Sequence, residues 1–438
     1  MRQHRLIVAA AVTTTALTLA ACSGGSGSAA PAAAKPGEKV NLTFWTWAPG
    51  MDKVAATWNA ANPDIQVTVN KQDGGDPAVT KLLTAVKAGS GAPDLIQTEY
   101  QKIPTLVSAD ALADLAPVLP KDTQQHYAAG TWQAVTLGSD AVYGVPQDSG
   151  PMELYYRKDV FDSLGLKAPT TWADYATAAE KVHAANPKNY LGTFSATDAG
   201  WFAGLTQQAG ASWWAVAGQA WKVAIDEAPT QKVAQYWGDL VEKGVIDNKP
   251  MYTPAWNAAL NSGSQVGWVS AIWAPGVLEG NAASTSGKWA MAPLPQWNAG
   301  DQATGAWGGS ATSATTQGKH LPEAAKFIAW MNSDPAGVKA LVADGGLYPA
   351  DLPSQASLTT PPAFFSTQKD FYTVAASVAK TVKPFTYGPN VNVAYSSYND
   401  EFGKATQAKS AAAFTAAVTA MQTTTLADLK KSGFSIAP

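Results

Sequence analysis

Two periodicities alternate through the first hundred residues, and that alternation leaves few folds open. Leu42-Thr43-Phe44-Trp45-Thr46-Trp47 is a β-branched and aromatic run that stops at Pro49-Gly50, as a strand does. From Asp52 to Ala61, Val54 and Trp58 lie four apart, the spacing of one helix face, and Asn62-Pro63 ends the stretch. Ile65, Val67 and Val69 alternate with Gln66 and Thr68 as a second strand. A helix from about Pro77 to Ala88 groups Val79, Leu82, Leu83 and Val86 on one face, and Gly89 closes it. Asp94-Leu95-Ile96 is a short buried strand. Strand-helix-strand-helix-strand implies an α/β fold, a parallel sheet with helices on both faces. In such sheets ligands sit beyond the carboxyl ends of the strands, which points at Trp47, Glu99 and Tyr100.

The rest of the chain repeats this texture. Thr171 and Asp174 form a T-x-x-D capping box that opens a helix to about Ala184. Val233, Tyr236, Trp237, Leu240 and Val241 make an apolar helical stripe ending at Gly244. Val266, Trp268 and Ser270 alternate into a short strand, and Trp273 lies just past its end. Pro322 to Met331 is a dense apolar helix, and the last segment is helical and Ala-rich. The run Asp73-Gly74-Gly75-Asp76 lacks the ligand spacing of a calcium loop and reads as a turn.

Composition narrows the function. At 438 residues the chain is long enough for two or three domains. With 46% apolar residues it can build a large core, and a net charge of −3 argues against a nucleic-acid binder with a basic surface. Seventeen tryptophans exceed what a core needs and suggest a surface for flat, apolar-faced ligands. Trp58, Trp172, Trp237 and Trp330 fall in helical patterns and belong to packing. No H-E-x-x-H, G-x-S-x-G, Walker loop or G-x-G-x-x-G occurs, and the four histidines are isolated. No cofactor or metal is expected.

Cys22 is the only cysteine, so neither an intrachain disulfide nor a multi-cysteine metal site can form. Arg2 and Arg5 precede a short apolar run, Leu6 to Leu19. Leu19-Ala20-Ala21-Cys22 then resembles a bacterial lipobox, which implies cleavage before Cys22 and acylation of its thiol. The alternative is ordinary signal-peptide cleavage beside a chance cysteine. Residues 1–21 are read as the signal segment and 22–39, rich in Ser, Gly, Ala and Pro, as a flexible tether. A lipid on Cys22 would hold a soluble body on the outer face of the membrane. The Ala-, Gly- and Trp-rich composition suits a GC-rich actinobacterium.

Tyr143 to Tyr175 reads YGVPQDSGPMELYYRKDVFDSLGLKAPTTWADY. With Ala92-Pro93-Asp94-Leu95, Ala292-Pro293-Leu294-Pro295, Gly305 to Ser310, Ala324 to Phe327 and Tyr348-Pro349, it resembles the family 1 extracellular solute-binding proteins. These are the oligosaccharide receptors of ABC importers, maltose-binding protein among them. The ordered blocks span nearly all of residues 40–400.

The resemblance implies a two-lobed periplasmic-binding-protein type II fold, each lobe a sheet flanked by helices, with the ligand in the cleft. One lobe would comprise 40–145 and 303–348, the other 146–302 and 349–438. Crossings are expected near Tyr143 to Gln147, Gln302 to Gly308 and Gly346 to Leu352. A ligand touching both lobes would close the hinge, and the closed monomer would deliver a carbohydrate to the permease subunits.

Aromatic rings cover a sugar's C–H face, while carboxylates and amides take its hydroxyls. On that chemistry and the family's pattern, the candidate contacts are Trp47, Glu99, Tyr100, Asp148, Trp201, Trp273, Trp307, Tyr395 and Tyr398. Two other readings compete. A secreted glycoside hydrolase would need two carboxylates about 5–10 Å apart, for which Asp148 and Glu99 are available. A receptor for a polyol or glycerol phosphodiester would call for Arg or Lys, and the candidate loops offer only Lys102.

Overall fold

The computed structural model describes residues 32–35, 37–72 and 76–437. Cys22, the signal segment, most of the tether and the Asp73 to Gly75 turn lie outside the described residues. Ala34, at the described end of the tether, donates its N–H to buried Glu323 at 2.9 Å. The tether is therefore attached to the body before the first strand begins.

Strands β1 (Val40–Thr46), β2 (Ile65–Lys71) and β3 (Leu95–Glu99) are parallel, in the order β2-β1-β3. The helices Met51–Ala61 and Asp76–Ala88 connect them. The alternation within β1 decides which face each residue serves. Leu42 and Phe44 bury into one layer with Val54 and Trp58; Trp45 faces the opposite layer with Val79 and Leu82. Asp94 locks β3 to β1 by accepting the Thr43 N–H and hydroxyl, both at 2.9 Å.

The long strand β4 (Val145–Arg157) leaves this layer and enters a second one. The hairpin β5 (Trp214–Ala217) and β6 (Ala220–Val223) stands apart from the main sheet. Strands β7 (Gly267–Ala271), β8 (Trp289–Pro293) and β9 (Ala306–Ala314) complete the sheet, with order β2-β1-β3-β9-β4-β7 and β8 also on β4. β9 pairs Glu99 through Ser310 on one side and β4 on the other. β4 pairs β9 from Val145 to Pro151, then β7 and β8 from Met152 onward. Two antiparallel strands thus pass together between the lobes. Register shifts between Pro146 and Asp148 and between Ser149 and Pro151 bend the pair at that passage. Tyr348 to Ala350 adds a third crossing, with Asp148 bridged to Pro349.

The second lobe holds the aromatic core. Eleven of the 17 tryptophans are buried, and Trp172, Trp201, Trp213, Trp214, Trp237, Trp256, Trp268 and Trp289 all belong to this one cluster. Most of the tryptophan excess is therefore core, contrary to the surface role inferred from composition. The Thr171 capping box forms, with Asp174 N–H to the Thr171 hydroxyl at 3.1 Å and Thr171 N–H to the Asp174 carboxylate at 3.0 Å. The helix Ala199–Gln208 lies directly on β9: a Cβ at Gly305 would fall 1.8 Å from the Gly204 carbonyl oxygen. Two glycines at one contact let these backbones touch, and that contact fixes Asp198 against Trp307.

Candidate ligand-binding site

A cavity of about 510 Å³ opens between the lobes. Its first wall is Glu99, at the carboxyl end of β3, with Gln101 and Lys102 in the turn that follows. Its second wall is Thr197 to Gly200, entering the helix Ala199–Gln208. Trp307 and Gly308 of β9 lie at the crossing between the two. Tyr387 and the helix Val391–Ala408 close the remaining side, where Asn392, Tyr395, Ser396 and Asn399 line up at helical spacing. Two other cavities, beside Leu294 and beside Val338, are lined mainly by apolar groups. The first cavity collects amides, hydroxyls and carboxylates from both lobes, and its size suits a small ligand.

Asp198 is the electrostatic centre of the second wall. It caps the helix, accepting the Trp201 N–H at 3.1 Å, and the Trp307 indole also donates to it. Burial pushes its carboxyl up to about 7; those two bonds act against the rise and the charge of Glu99 adds to it. The Lys102 ammonium donates to Asn392 and stands 5.8 Å from the Tyr395 ring. Thr105 donates to the Pro389 carbonyl at 2.9 Å. The lobes therefore touch beside the cavity. Tyr387 and Tyr395 bond to each other, and burial holds both hydroxyls protonated.

The aromatic side of the site is a fixed group of rings. Trp273 donates its indole N–H to the Trp307 carbonyl at 2.9 Å, and the two rings meet edge to face at 4.6 Å. Buried Trp268 lies under both, at 5.7 and 6.2 Å. Such packing leaves each ring one orientation and little rotamer freedom to lose on binding.

The sequence pattern described as bacterial extracellular solute-binding protein matches residues 45–338. This chain belongs to that family. Its members are binding proteins and not enzymes. A similar protein is the arabinooligosaccharide-binding protein of Bacillus subtilis (strain 168), 26% identical over 325 residues, which are 71% of this chain and 73% of that one. Among solved structures, the galacto-N-biose/lacto-N-biose I-binding protein of the ABC transporter from Bifidobacterium longum, in complex with lacto-N-biose, is similar at 29% identity. Its TM-score is 0.79, over 92% of this chain and all of the other. The ABC transporter-associated binding protein of B. animalis subsp. lactis Bl-04, in complex with β-1,6-galactobiose, is 26% identical with TM-score 0.76 over the same shares. The two-lobed fold is common to this chain and these structures. Among the described residues, no helix is long and apolar enough to cross a membrane and no three metal-ligating side chains cluster.

The cavity gathers some of the sequence candidates and not others. Glu99, Trp307 and Tyr395 line the cavity. Trp273 supports Trp307 from outside it, and Trp47 lines a narrow gap beside Glu99 and Lys102. Trp201 does not face the cavity: it is fully buried, its indole donates to the Val269 carbonyl at 3.0 Å, and it packs on Trp237 at 5.0 Å. Tyr398 is likewise fully buried, donating to the Ser195 carbonyl at 2.7 Å. Tyr100 pins the crossing strands, with its hydroxyl on the Asp148 carbonyl at 2.7 Å.

Asp148 itself lies within β4, where its carboxylate accepts the Ser310 N–H at 2.7 Å and the Ser310 hydroxyl. Burial raises it to about 6, and the Ser310 bonds oppose the rise. Neither Tyr100 nor Asp148 lines the cavity, so the Asp148 and Glu99 pair of the hydrolase reading is not assembled across it. The carboxylates that do share the cavity are Glu99 and Asp198. Asp198, Gln101, Asn392 and Asn399 were not picked out from the sequence. The polar spacing 392, 395, 396, 399 was the available signal for the last two.

Proposed function

We propose that this chain is the carbohydrate-binding component of an ABC importer, closing its lobes on a small neutral oligosaccharide and passing it to the permease. One observation carries this: hydroxyl-binding side chains from both lobes, Glu99 and Gln101 from one and Asp198, Asn392 and Asn399 from the other, line one cavity together with Trp307. Carboxylates and amides at a cavity rim bind hydroxyls, and an indole covers a pyranose or furanose C–H face. A ligand bonded to both walls favours the closed arrangement by its differential affinity for it. The relatives' named ligands, arabino-oligosaccharides, lacto-N-biose and β-1,6-galactobiose, are all neutral sugars. Lys102 is the one Lys or Arg lining the cavity among the described residues, which disfavours a phosphodiester.

The lobe boundaries that follow are 40–145 with 303–348 and 146–302 with 349–438. The body acts as a monomer on the outer face of the membrane, anchored by acylated Cys22. In cells, Cys22→Ala should abolish palmitate labelling and release the protein to the medium; labelling that persists overturns the anchor. For the ligand, a thermal-shift screen of residues 23–438 against neutral mono- and oligosaccharides should show a raised Tm for one sugar class. Release of cleaved product from that sugar would overturn the binding-protein reading, and a Tm raised only by glycerol phosphodiesters would overturn the carbohydrate assignment.

A further inference from the structure

Tyr252 is unusual in two independent respects. Its backbone sits in the left-handed region, at φ 65°, where a bulky aromatic residue is strained. The residue is also 43% exposed, in a chain that buries most of its large aromatics. Backbone strain at a partly exposed aromatic residue needs an offsetting gain.

The ring is held firmly. Its centroid lies 5.5 Å from Trp256, 6.2 Å from Trp268 and 6.3 Å from Trp307. The turn carrying it is fixed on both sides, by Met251 N–H to the Ser195 hydroxyl at 3.2 Å and the Thr253 hydroxyl to the Pro250 carbonyl at 3.0 Å. Trp307 lines the cavity and Tyr252 does not, so the aromatic surface continues past the cavity wall. The charge of Asp198 bears on the Tyr252 hydroxyl, so a hydroxyl-binding group lies in its neighbourhood. A partly exposed aromatic residue, held by neighbouring rings and within the field of a carboxylate, has the chemistry of a sugar platform.

We propose that Tyr252 is the platform of an outer sugar subsite, taking the ring beyond those held in the cavity and so setting the preferred ligand length. This rests on the carbohydrate reading above. The test is titration calorimetry of the mature chain with linear arabino-oligosaccharides and β-galacto-oligosaccharides of two, three and four rings. Tyr252→Ala should weaken binding of the three- and four-ring ligands about tenfold and leave the two-ring ligand within about twofold. Tyr252→Phe should keep the length preference. Tyr252→Gly accepts the left-handed backbone without strain, so it should match the alanine variant in binding and at least equal it in Tm. An equal loss at every length would make Tyr252 a support for Trp307 and overturn the subsite, as would no loss at any length. Wild-type protein that binds neither ladder overturns the subsite as stated for these sugars, and wild-type protein that also binds no sugar of the thermal-shift screen removes the carbohydrate reading with it.

Discussion

Trp307→Ala should reduce ligand affinity by about a hundredfold or more, an effect of roughly 3 kcal/mol, the scale of a central aromatic anchor. Three losses combine. The ring is the indole of the cavity lining, beside Tyr387 and Tyr395, and its removal leaves part of the sugar face against water. Its indole N–H no longer bonds Asp198, so the carboxylate that caps the helix Ala199–Gln208 loses one of the two donors holding it in place. Trp273, which meets Trp307 at 4.6 Å, loses its edge contact as well. Trp307 is only 7% exposed, so the variant should also lose about 3 kcal/mol of folding stability. Calorimetry therefore belongs at a temperature where circular dichroism shows the variant folded. Trp201→Phe supplies the contrast: it should cost stability, through the lost bond to the Val269 carbonyl, and leave the affinity of the folded protein unchanged. Trp307→Ala with affinity within about threefold of wild type would remove this ring from the site.

How far the sequence revealed this site depended on which periodicity governed each residue. The strand-end rule reached Glu99 because a parallel strand must present its carboxyl end to the cleft. It could not separate Asp198 from Trp201, three residues apart at the entry of one helix. The separation comes from helix geometry: the capping residue stands outside the helix facing the cavity, and the residue three positions later has turned inward onto Phe194 and Trp237. Tyr395 and Tyr398 divide in the same way. Tyr398 belongs to the buried series Val391, Ala394, Tyr398, Phe402 and Ala405, and Tyr395 to the opposite series 392, 396, 399. Helical spacing contained that distinction, and the resemblance to a family obscured it by pointing at both tyrosines. Asp148 was illegible for another reason. The register shift between Pro146 and Asp148 re-aims its carboxylate onto Ser310, and no local residue pattern encodes the shift. Tyr252 was hidden because a positive φ outside glycine is imposed by tertiary contacts.

Raising the pH from about 5 to 9 should destabilise the protein, and Glu153→Gln should remove much of that slope. Glu153 lies in β4 directly opposite Ser270 of β7 and Pro293 of β8, and it is fully buried. One carboxylate oxygen accepts the Tyr155 hydroxyl at 2.7 Å; the other has no protein partner. Burial pushes the carboxyl up to about 8 from the ordinary 4.5, and the Tyr155 bond opposes the rise. The sign follows from proton counting. Below about 4.5 the folded and unfolded chains both hold the proton, and the stabilising contribution is complete. Between about 4.5 and 8 the folded chain keeps a proton the unfolded chain has released, so stability falls by about 1.4 kcal/mol per pH unit. Above about 8 both forms are ionised, and the folded protein bears an unpaired buried charge. Asp148, raised to about 6, and Asp198, raised to about 7, act in the same direction over narrower windows. Asp174, held low by its bonds to Thr171, acts only at the acid end. Glutamine keeps the size and an acceptor for Tyr155 without the charge, so the variant should exceed wild type by a few kcal/mol at pH 9 and approach it at pH 5. Urea midpoints at pH 5, 7 and 9 decide the matter: parallel profiles for wild type and Glu153→Gln would show that Glu153 ionises without cost. The strand concerned also joins the lobes, so a charge forced into it should loosen the crossing. Glu153→Gln should therefore hold its ligand affinity into the alkaline range where wild type loses it.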